Sequence, residues 1–113
     1  MQTAFSITDV SFIADPVAPS AVVLEVNFNI HNSGPSHVAG LIVTTDFWVT
    51  SHVAPGTFQG FGAGFEFWKA DFQVSQSPPL NFEFVIFCDD FGGVDFVPRI
   101  WNTNGGNRFR ISI

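Results

Sequence analysis

Residues 21–32 read Ala21-Val-Val-Leu-Glu-Val-Asn-Phe-Asn-Ile-His-Asn32. Every second residue from Val22 to Ile30 is apolar, and the positions between them include Glu25 and Asn27. This alternation predicts a β-strand with one face on a core and the other face in water. Strands of that kind are typical of antiparallel sheets, whereas parallel sheets bury both faces. The stretch therefore favours an all-β, antiparallel fold.

The same alternation recurs along the chain on both sides of this strand. Clusters of Gly, Pro, Asn and Ser separate the apolar runs, and no long window has the apolar spacing of an amphipathic helix. We predict an antiparallel β-sandwich, with a closed barrel as the alternative. The predicted strands are residues 4–13, 21–32, 37–48, 51–61, 65–74, 80–88, 94–101 and 108–113, with turns at 14–20 and 89–93.

Length and composition restrict the fold and the partners. A chain of 113 residues matches one domain, 1–113, with one core. The formal net charge of −6 argues against nucleic acid as a partner, because a phosphate backbone selects basic surfaces. The chain has 15 Phe, 3 Trp and no Tyr. So many large rings would crowd one core, so we expect some on the surface, where they favour a homodimer.

No segment of the sequence resembles a membrane span or a secretory signal. The longest apolar run, residues 84–88, is far shorter than the roughly 20 residues that cross a bilayer. The first residues, 1–7, lack both a basic and an apolar signal region. We expect a cytoplasmic protein, or one exported without a signal peptide. The single Cys88 excludes an intrachain disulfide.

Catalytic and metal-binding patterns are lacking in the sequence. The adjacent carboxylates Asp89 and Asp90 fall in a predicted turn, and His31, His37 and His52 are scattered without metal-ligand spacing. Nucleophile-elbow and phosphate-loop motifs are missing too. We therefore predict a protein that is not an enzyme and that has no cofactor and no metal.

The segment Trp101-Asn-Thr-Asn-Gly-Gly-Asn107 suits a sugar ligand. An indole offers a flat apolar face for a pyranose ring, and amides donate and accept hydrogen bonds to its hydroxyls. The side chains Asn102, Asn104 and Asn107 are the candidate amides. The alternative is that Asn and Gly form the turn and Trp101 lies in the core.

This segment and the preceding run Asn81-Phe-Glu-Phe-Val-Ile-Phe-Cys-Asp89 resemble the C-terminal half of family 21 carbohydrate-binding modules, which bind starch and glycogen. Upstream, residues 41–48 resemble the β-rich run of that family that ends in a D-x-W loop, and 64–68 resemble its aromatic strand. The resemblance spans about residues 21–113. In this chain Phe replaces Tyr at family positions, and Arg108 stands where the family has Asn.

The resemblance implies an immunoglobulin-like sandwich of about eight strands that binds α-glucans such as starch or glycogen without catalysis. It places Trp48, Trp101 and Asn104 in a first site, and Phe58 and Phe65 near a second site. Trp68 is expected in the core. We predict a lectin-like, oligo- or polysaccharide-binding domain; the alternative function is a protein-interaction or self-associating domain that uses exposed Phe residues.

Overall fold

The structure, a computed structural model, describes residues 6–31, 37–62, 65–90 and 100–113. All regular elements in these ranges are strands, and every paired strand is antiparallel, which confirms the predicted all-β class. Within the same ranges there is no helix with the length and apolar character needed to cross a membrane. The strands are β1 Ser6–Ala18, β2 Ala21–His31, β3 His37–Thr44, β4 His52–Gly62, β5 Phe65–Val74, β6 Asn81–Asp90, β7 Ile100–Asn102 and β8 Phe109–Ser112.

The strands form one curled sheet in the order β1-β2-β5-β4-β3-β6-β7, with β8 also paired to β6. Strand β4 turns the corner, because residues 52–55 pair with β3 and residues 56–62 pair with β5. Two glycines permit this crossing. A Cβ on Gly40 would lie 2.5 Å from the Ala54 carbonyl oxygen, and one on Gly56 would lie 2.7 Å from that of Ala39. We call β1, β2, β5 and the end of β4 the first half-sheet, and the remaining strands the second.

The core lies between the two half-sheets and takes one residue in two from each central strand. Aromatic rings join the layers: Phe12 packs edge-on against Phe84 at 5.1 Å, and Phe84 stacks on Phe109 at 5.2 Å. Fully buried side chains come from β2, β3 and β6, as the alternation predicts. The largest are Phe28, Phe82, Phe84, Leu24, Ile30, Leu41, Ile86, Val22, Val26, Val43 and Thr44.

A side-chain hydrogen bond joins the two ends of the curled sheet. Asn102 Nδ2 in β7 donates to the Ile7 carbonyl oxygen in β1 over 2.8 Å. In the described ranges no backbone ladder connects β1 with β7. The fold is therefore sandwich-like, and the closed-barrel alternative is wrong for this part of the chain.

Two predicted turns differ from the structure. Strand β1 continues through Asp15 and Pro16 to Ala18, so the turn begins at Pro19. An edge strand tolerates proline because its free side needs no N–H donor. The predicted turn at 89–93 is wrong at its start, since Asp89 and Asp90 are the last residues of β6. Residues 91–93, and 94–99 of the predicted seventh strand, lie outside the described residues.

Candidate functional site

The outer face of the second half-sheet brings Trp48 and Trp101 together. Along β6, Glu83, Val85 and Phe87 alternate with core residues and therefore point outward. Trp48 contacts Glu83, and Trp101 is the cross-strand partner of Phe87. Four residues along a strand span ~13 Å. Both indoles thus lie on one face of the sheet, about two side-chain rows apart.

Trp48 lies in a loop, residues 44–50, that is organised around one buried hydroxyl. Thr44 is 1% exposed, and its Oγ1 accepts hydrogen bonds from the backbone N–H groups of Asp46, at 3.2 Å, and Trp48, at 3.1 Å. The single proton of the same hydroxyl has two acceptors within reach, the Thr50 carbonyl oxygen at 2.6 Å and Asp46 Oδ1 at 2.7 Å. The hydroxyl thereby ties the two ends of the loop to its middle.

The Asp46 carboxylate closes this loop from the other side. It accepts hydrogen bonds from the Thr50 backbone N–H at 2.9 Å and from the Thr50 hydroxyl. These bonds, and one from Thr44, lower the pKa of Asp46 to about 2 because they favour the charged form. Phe47 and Trp48 adopt φ values of 57° and 69°, which residues other than glycine seldom adopt. The hydrogen bonds therefore hold a backbone that presents Phe47, 74% exposed, and Trp48 at the surface.

Three charged groups fix the Trp48 ring. Its Nε1 donates to Glu83 Oε1 at 3.2 Å, and Arg110 Nε lies 3.4 Å from the same oxygen. The Arg108 guanidinium lies over the ring, 5.1 Å from its centroid. The edge of the indole is thus bonded to a carboxylate, and a cation lies on one of its faces.

The asparagine-rich turn uses two of its three predicted ligands internally. Asn102 bonds to β1 through Nδ2 and accepts from the Asn104 N–H at 3.0 Å. Asn104 Nδ2 donates to the Arg108 carbonyl oxygen at 3.0 Å. Asn107 is exposed. Its backbone N–H donates to the Asn104 carbonyl oxygen, but its side-chain amide has no hydrogen-bond partner among the described residues. Of these three side chains, Asn107 is therefore the one whose whole amide is available to a ligand within the described part of the chain.

Trp101 is a surface residue. Its side chain is 49% exposed, and its ring lies 6.3 Å from that of Phe87 at an angle of 59°. The alternative that placed Trp101 in the core is wrong. Phe87 itself is buried, so it supports the inner side of the indole and leaves the outer side in solvent.

The residues of the predicted second site are not brought together. Phe58 packs edge-on against Trp68 at 5.8 Å, and Trp68 is buried as predicted. Phe65 lies three residues before Trp68 on the same strand, so its side chain points to the opposite face. Phe58 instead adjoins Phe61, at 6.2 Å.

A small open cleft adjoins the Trp48 loop. Its volume is about 240 Å³, and its lining combines the exposed Phe47 ring with polar groups of β6 and β8. Among the residues that the structure describes, no three His, Cys, Asp or Glu side chains are grouped as metal ligands. The lining residues are Phe47, Asn81, Phe82, Glu83, Arg110 and Ser112.

Four residues of this surface were not among the predicted ligands: Thr44, Glu83, Arg108 and Arg110. Thr44 is separated from Asp46 by one residue, a spacing typical of turns closed by side chains, and this signal was present in the sequence. Glu83 and Arg110 meet only through the pairing of β6 with β8, so their contact has no local signal.

Comparison with known proteins gives solved structures of similar fold, among them two carbohydrate-binding domains. No family model and no curated protein matches the sequence. The carbohydrate-binding module of the muscle glycogen-targeting subunit of protein phosphatase 1 aligns with a TM-score of 0.61 at 14% identity, over 96% of this chain and 74% of that one. The starch-binding domain of Rhizopus oryzae glucoamylase, solved with β-cyclodextrin and maltoheptaose, aligns with a TM-score of 0.53 at 11% identity, over 89% and 100%. The predicted resemblance to carbohydrate-binding modules is confirmed at the level of the fold.

Proposed function

We propose that this chain is a non-catalytic carbohydrate-binding domain whose ligand is an α-glucan such as starch or glycogen. The observation that carries the proposal is the placement of Trp48 and Trp101 on one face of the second half-sheet. The two structural neighbours are a carbohydrate-binding module and a starch-binding domain, which supports the same class of ligand.

Binding would combine stacking and hydrogen bonding. The exposed face of Trp101 receives the apolar face of one sugar ring, and Trp48 receives another. Because Trp48 Nε1 already donates to Glu83, this indole contributes its π face only. The Asn107 amide and the Arg108 guanidinium supply donors near the rings. A rigid loop around Trp48 lowers the entropy lost on binding.

Titration with maltoheptaose or glycogen, followed by tryptophan fluorescence, tests this proposal. We expect quenching in the wild type and weaker binding by about 30-fold in Trp101→Ala, the effect of losing ~2 kcal/mol at a central aromatic contact. Phe67→Ala, an exposed ring of the first half-sheet, is the matched control and should bind normally. Absence of quenching at millimolar sugar would overturn the α-glucan assignment. Unchanged retention of Trp101→Ala on amylose would place the site elsewhere.

A second candidate function is self-association through the β4–β5 hairpin. Phe61 is 80% exposed there, and its neighbour Phe58 is 46% exposed. Exposed phenyl rings favour an apolar partner. A homodimer formed by this hairpin would raise the avidity of a weak sugar site, because a polysaccharide offers many copies of its ligand.

A further inference from the structure

One cation on the proposed sugar-binding face has no carboxylate partner among the residues that the structure describes. The chain has ten acidic and four basic residues, so basic side chains have an excess of partners. Lys69 pairs with Glu25 at 2.7 Å, and Arg110 pairs with Glu83 at 3.4 Å. Within the described ranges, Arg108 has no carboxylate oxygen within 4.0 Å. The Arg108 guanidinium instead lies over the Trp48 ring.

Stacking leaves the hydrogen-bonding capacity of Arg108 intact. A guanidinium over an aromatic face is held by its charge and its plane, and its five N–H donors remain in the plane of the group. The left-handed backbone at Arg108, with φ of 62°, is fixed by its N–H bond to Thr103 and by the bond that its carbonyl accepts from Asn104. The backbone that carries Arg108 is therefore fixed before any ligand arrives, with the guanidinium beside the Trp48 ring.

Arg110 adds a second cation to the same place. Its side chain is 66% exposed, lines the cleft beside Phe47, and shares the Glu83 oxygen with Trp48. Two of the four basic residues of an acidic protein thus converge on one indole. Since the Asn102 and Asn104 amides already bond to the protein, the side chains of this face with the most donor capacity left, among the described residues, are Asn107 and the arginines. Such a face is complementary to a ligand with many hydrogen-bond acceptors.

We propose that the preferred ligand is an anionic glycan, whose carboxylate or phosphate group binds the Arg108 guanidinium while its sugar ring stacks on Trp48 or Trp101. This inference rests on the proposed carbohydrate-binding function and narrows its ligand class. A neutral sugar needs no cation, whereas an oxyanion forms bidentate, charge-assisted bonds with arginine that are about twice as strong as neutral ones.

Calorimetric titration with three matched sugars tests the inference. The probes are maltoheptaose, maltoheptaose with one 6-phosphate, and maltoheptaose with one glucose oxidised at C6 to a carboxylate, all at neutral pH. We expect at least one anionic sugar to bind about tenfold tighter than the neutral one at low salt. This ratio should shrink as salt rises, because exposed charges are screened. The anionic sugar with the larger gain identifies the oxyanion that the site selects.

Two substitutions locate the preference. Arg108→Gln should lower the ratio of the affinity for the anionic sugar to that for maltoheptaose to about one. The glutamine amide keeps hydrogen-bond donors but lacks the charge and the planar fork of arginine. Lys69→Gln, which removes one positive charge from β5 in the first half-sheet, should keep the ratio of the wild type. An Arg108→Gln variant that retains the tenfold ratio would overturn the assignment to Arg108.

The remaining outcomes separate the two proposals. Equal affinity for all three sugars overturns the anionic ligand and leaves the carbohydrate-binding function standing. If inorganic phosphate binds as tightly as the phosphorylated sugar, the inference is overturned, since the sugar would then contribute nothing. If no sugar binds, the proposed function fails together with the inference.

Discussion

Two surfaces of this protein expose aromatic rings, and their surroundings differ. On the Trp48–Trp101 face, the Trp48 indole is bonded to Glu83 and covered by Arg108, and hydrogen-bonded turns flank it. On the β4–β5 hairpin, Phe58 contacts the rings of Phe61 and Trp68. Trp68 Nε1 also donates to a carboxylate, Glu66 Oε1 at 3.2 Å, so the cation over its indole is what distinguishes the first surface. A charged donor beside a ring suits a ligand with directional acceptors, whereas exposed phenyl rings that pack on one another suit an apolar partner. Aromatic content alone therefore does not define a sugar-binding surface.

A β-bulge explains the aromatic cluster of the hairpin. Phe58 pairs with Trp68 and Phe61 pairs with Glu66, and the register shifts between them at Gln59. Residues three apart on a regular strand point to opposite faces, but one extra residue restores them to the same face. The bulge thereby joins Phe58 and Phe61 into one apolar patch and leaves Phe65 on the other side.

Thr44→Val should have the largest effect that is confined to one of the two surfaces, the Trp48–Trp101 face. The change keeps the shape of the side chain but removes the hydroxyl that binds the N–H groups of Asp46 and Trp48. Buried donors without partners cost about 1–3 kcal/mol. We expect a lower free energy of unfolding by that amount and an affinity for sugar about tenfold weaker, measured by denaturation and fluorescence titration.

Thr57→Val in the hairpin strand is the matched control for that prediction. Thr57 is exposed, so the same chemical change should alter stability by less than about 0.5 kcal/mol. Unchanged sugar affinity in Thr44→Val would show that the hydrogen bonds of the loop do not position Trp48 for binding.

The sequence was sufficient for the strands but not for the contacts between distant loops. Alternation in residues 21–32 predicts β2 and its buried face, because side-chain direction on a strand has a period of two. The hydrogen bond from Asn102 Nδ2 to the Ile7 carbonyl oxygen forms only because β7 approaches β1. The two residues are 95 positions apart in the sequence. No local pattern encodes that approach, so the amide was predicted as a ligand.

Trp48 and the Phe58–Phe65 pair show the same difference between what a local pattern predicts and what it does not. A half-buried Trp48 that reaches the surface follows from its place at the end of an apolar run, which the sequence displays. Whether Phe58 and Phe65 share a face depends on the bulge at Gln59, which shifts the parity of β4 by one residue. Alternation in a single sequence cannot locate such a shift in residues 58–62, because Phe and Gly alternate irregularly there.

A smaller effect is expected from the charge of Asp46. Its pKa in the folded state, about 2, is below the ordinary value of 3.8, so its contribution to the loop is complete above about pH 4 and is lost as the pH falls toward 2. Sugar affinity should therefore show no contribution from Asp46 titration between pH 7 and about 4. Asp46→Asn should weaken binding several-fold at neutral pH, because a neutral amide is a poorer acceptor for the Thr50 donors.

Asp71→Asn is the control for the acid titration. Asp71 is exposed on β5 and lies 4.0 Å from Lys69, away from the Trp48 loop. Fluorescence titrations from pH 7 to 2 should give the wild-type curve for this variant and a flatter curve below pH 4 for Asp46→Asn. Identical curves for Asp46→Asn and the wild type would show that the carboxylate has no part in holding the loop.

The smallest effect on sugar affinity is expected from Phe61→Ser, which tests whether the two surfaces have different partners. Phe61 contacts Phe58 and is otherwise exposed, so its loss should change sugar affinity by less than about twofold. Light scattering should show a concentration-dependent dimer in the wild type and a monomer in the variant if the hairpin self-associates. A loss of sugar affinity as large as that of Trp101→Ala would instead assign the hairpin to the glycan, because a ring without fixed donors would then be sufficient for binding.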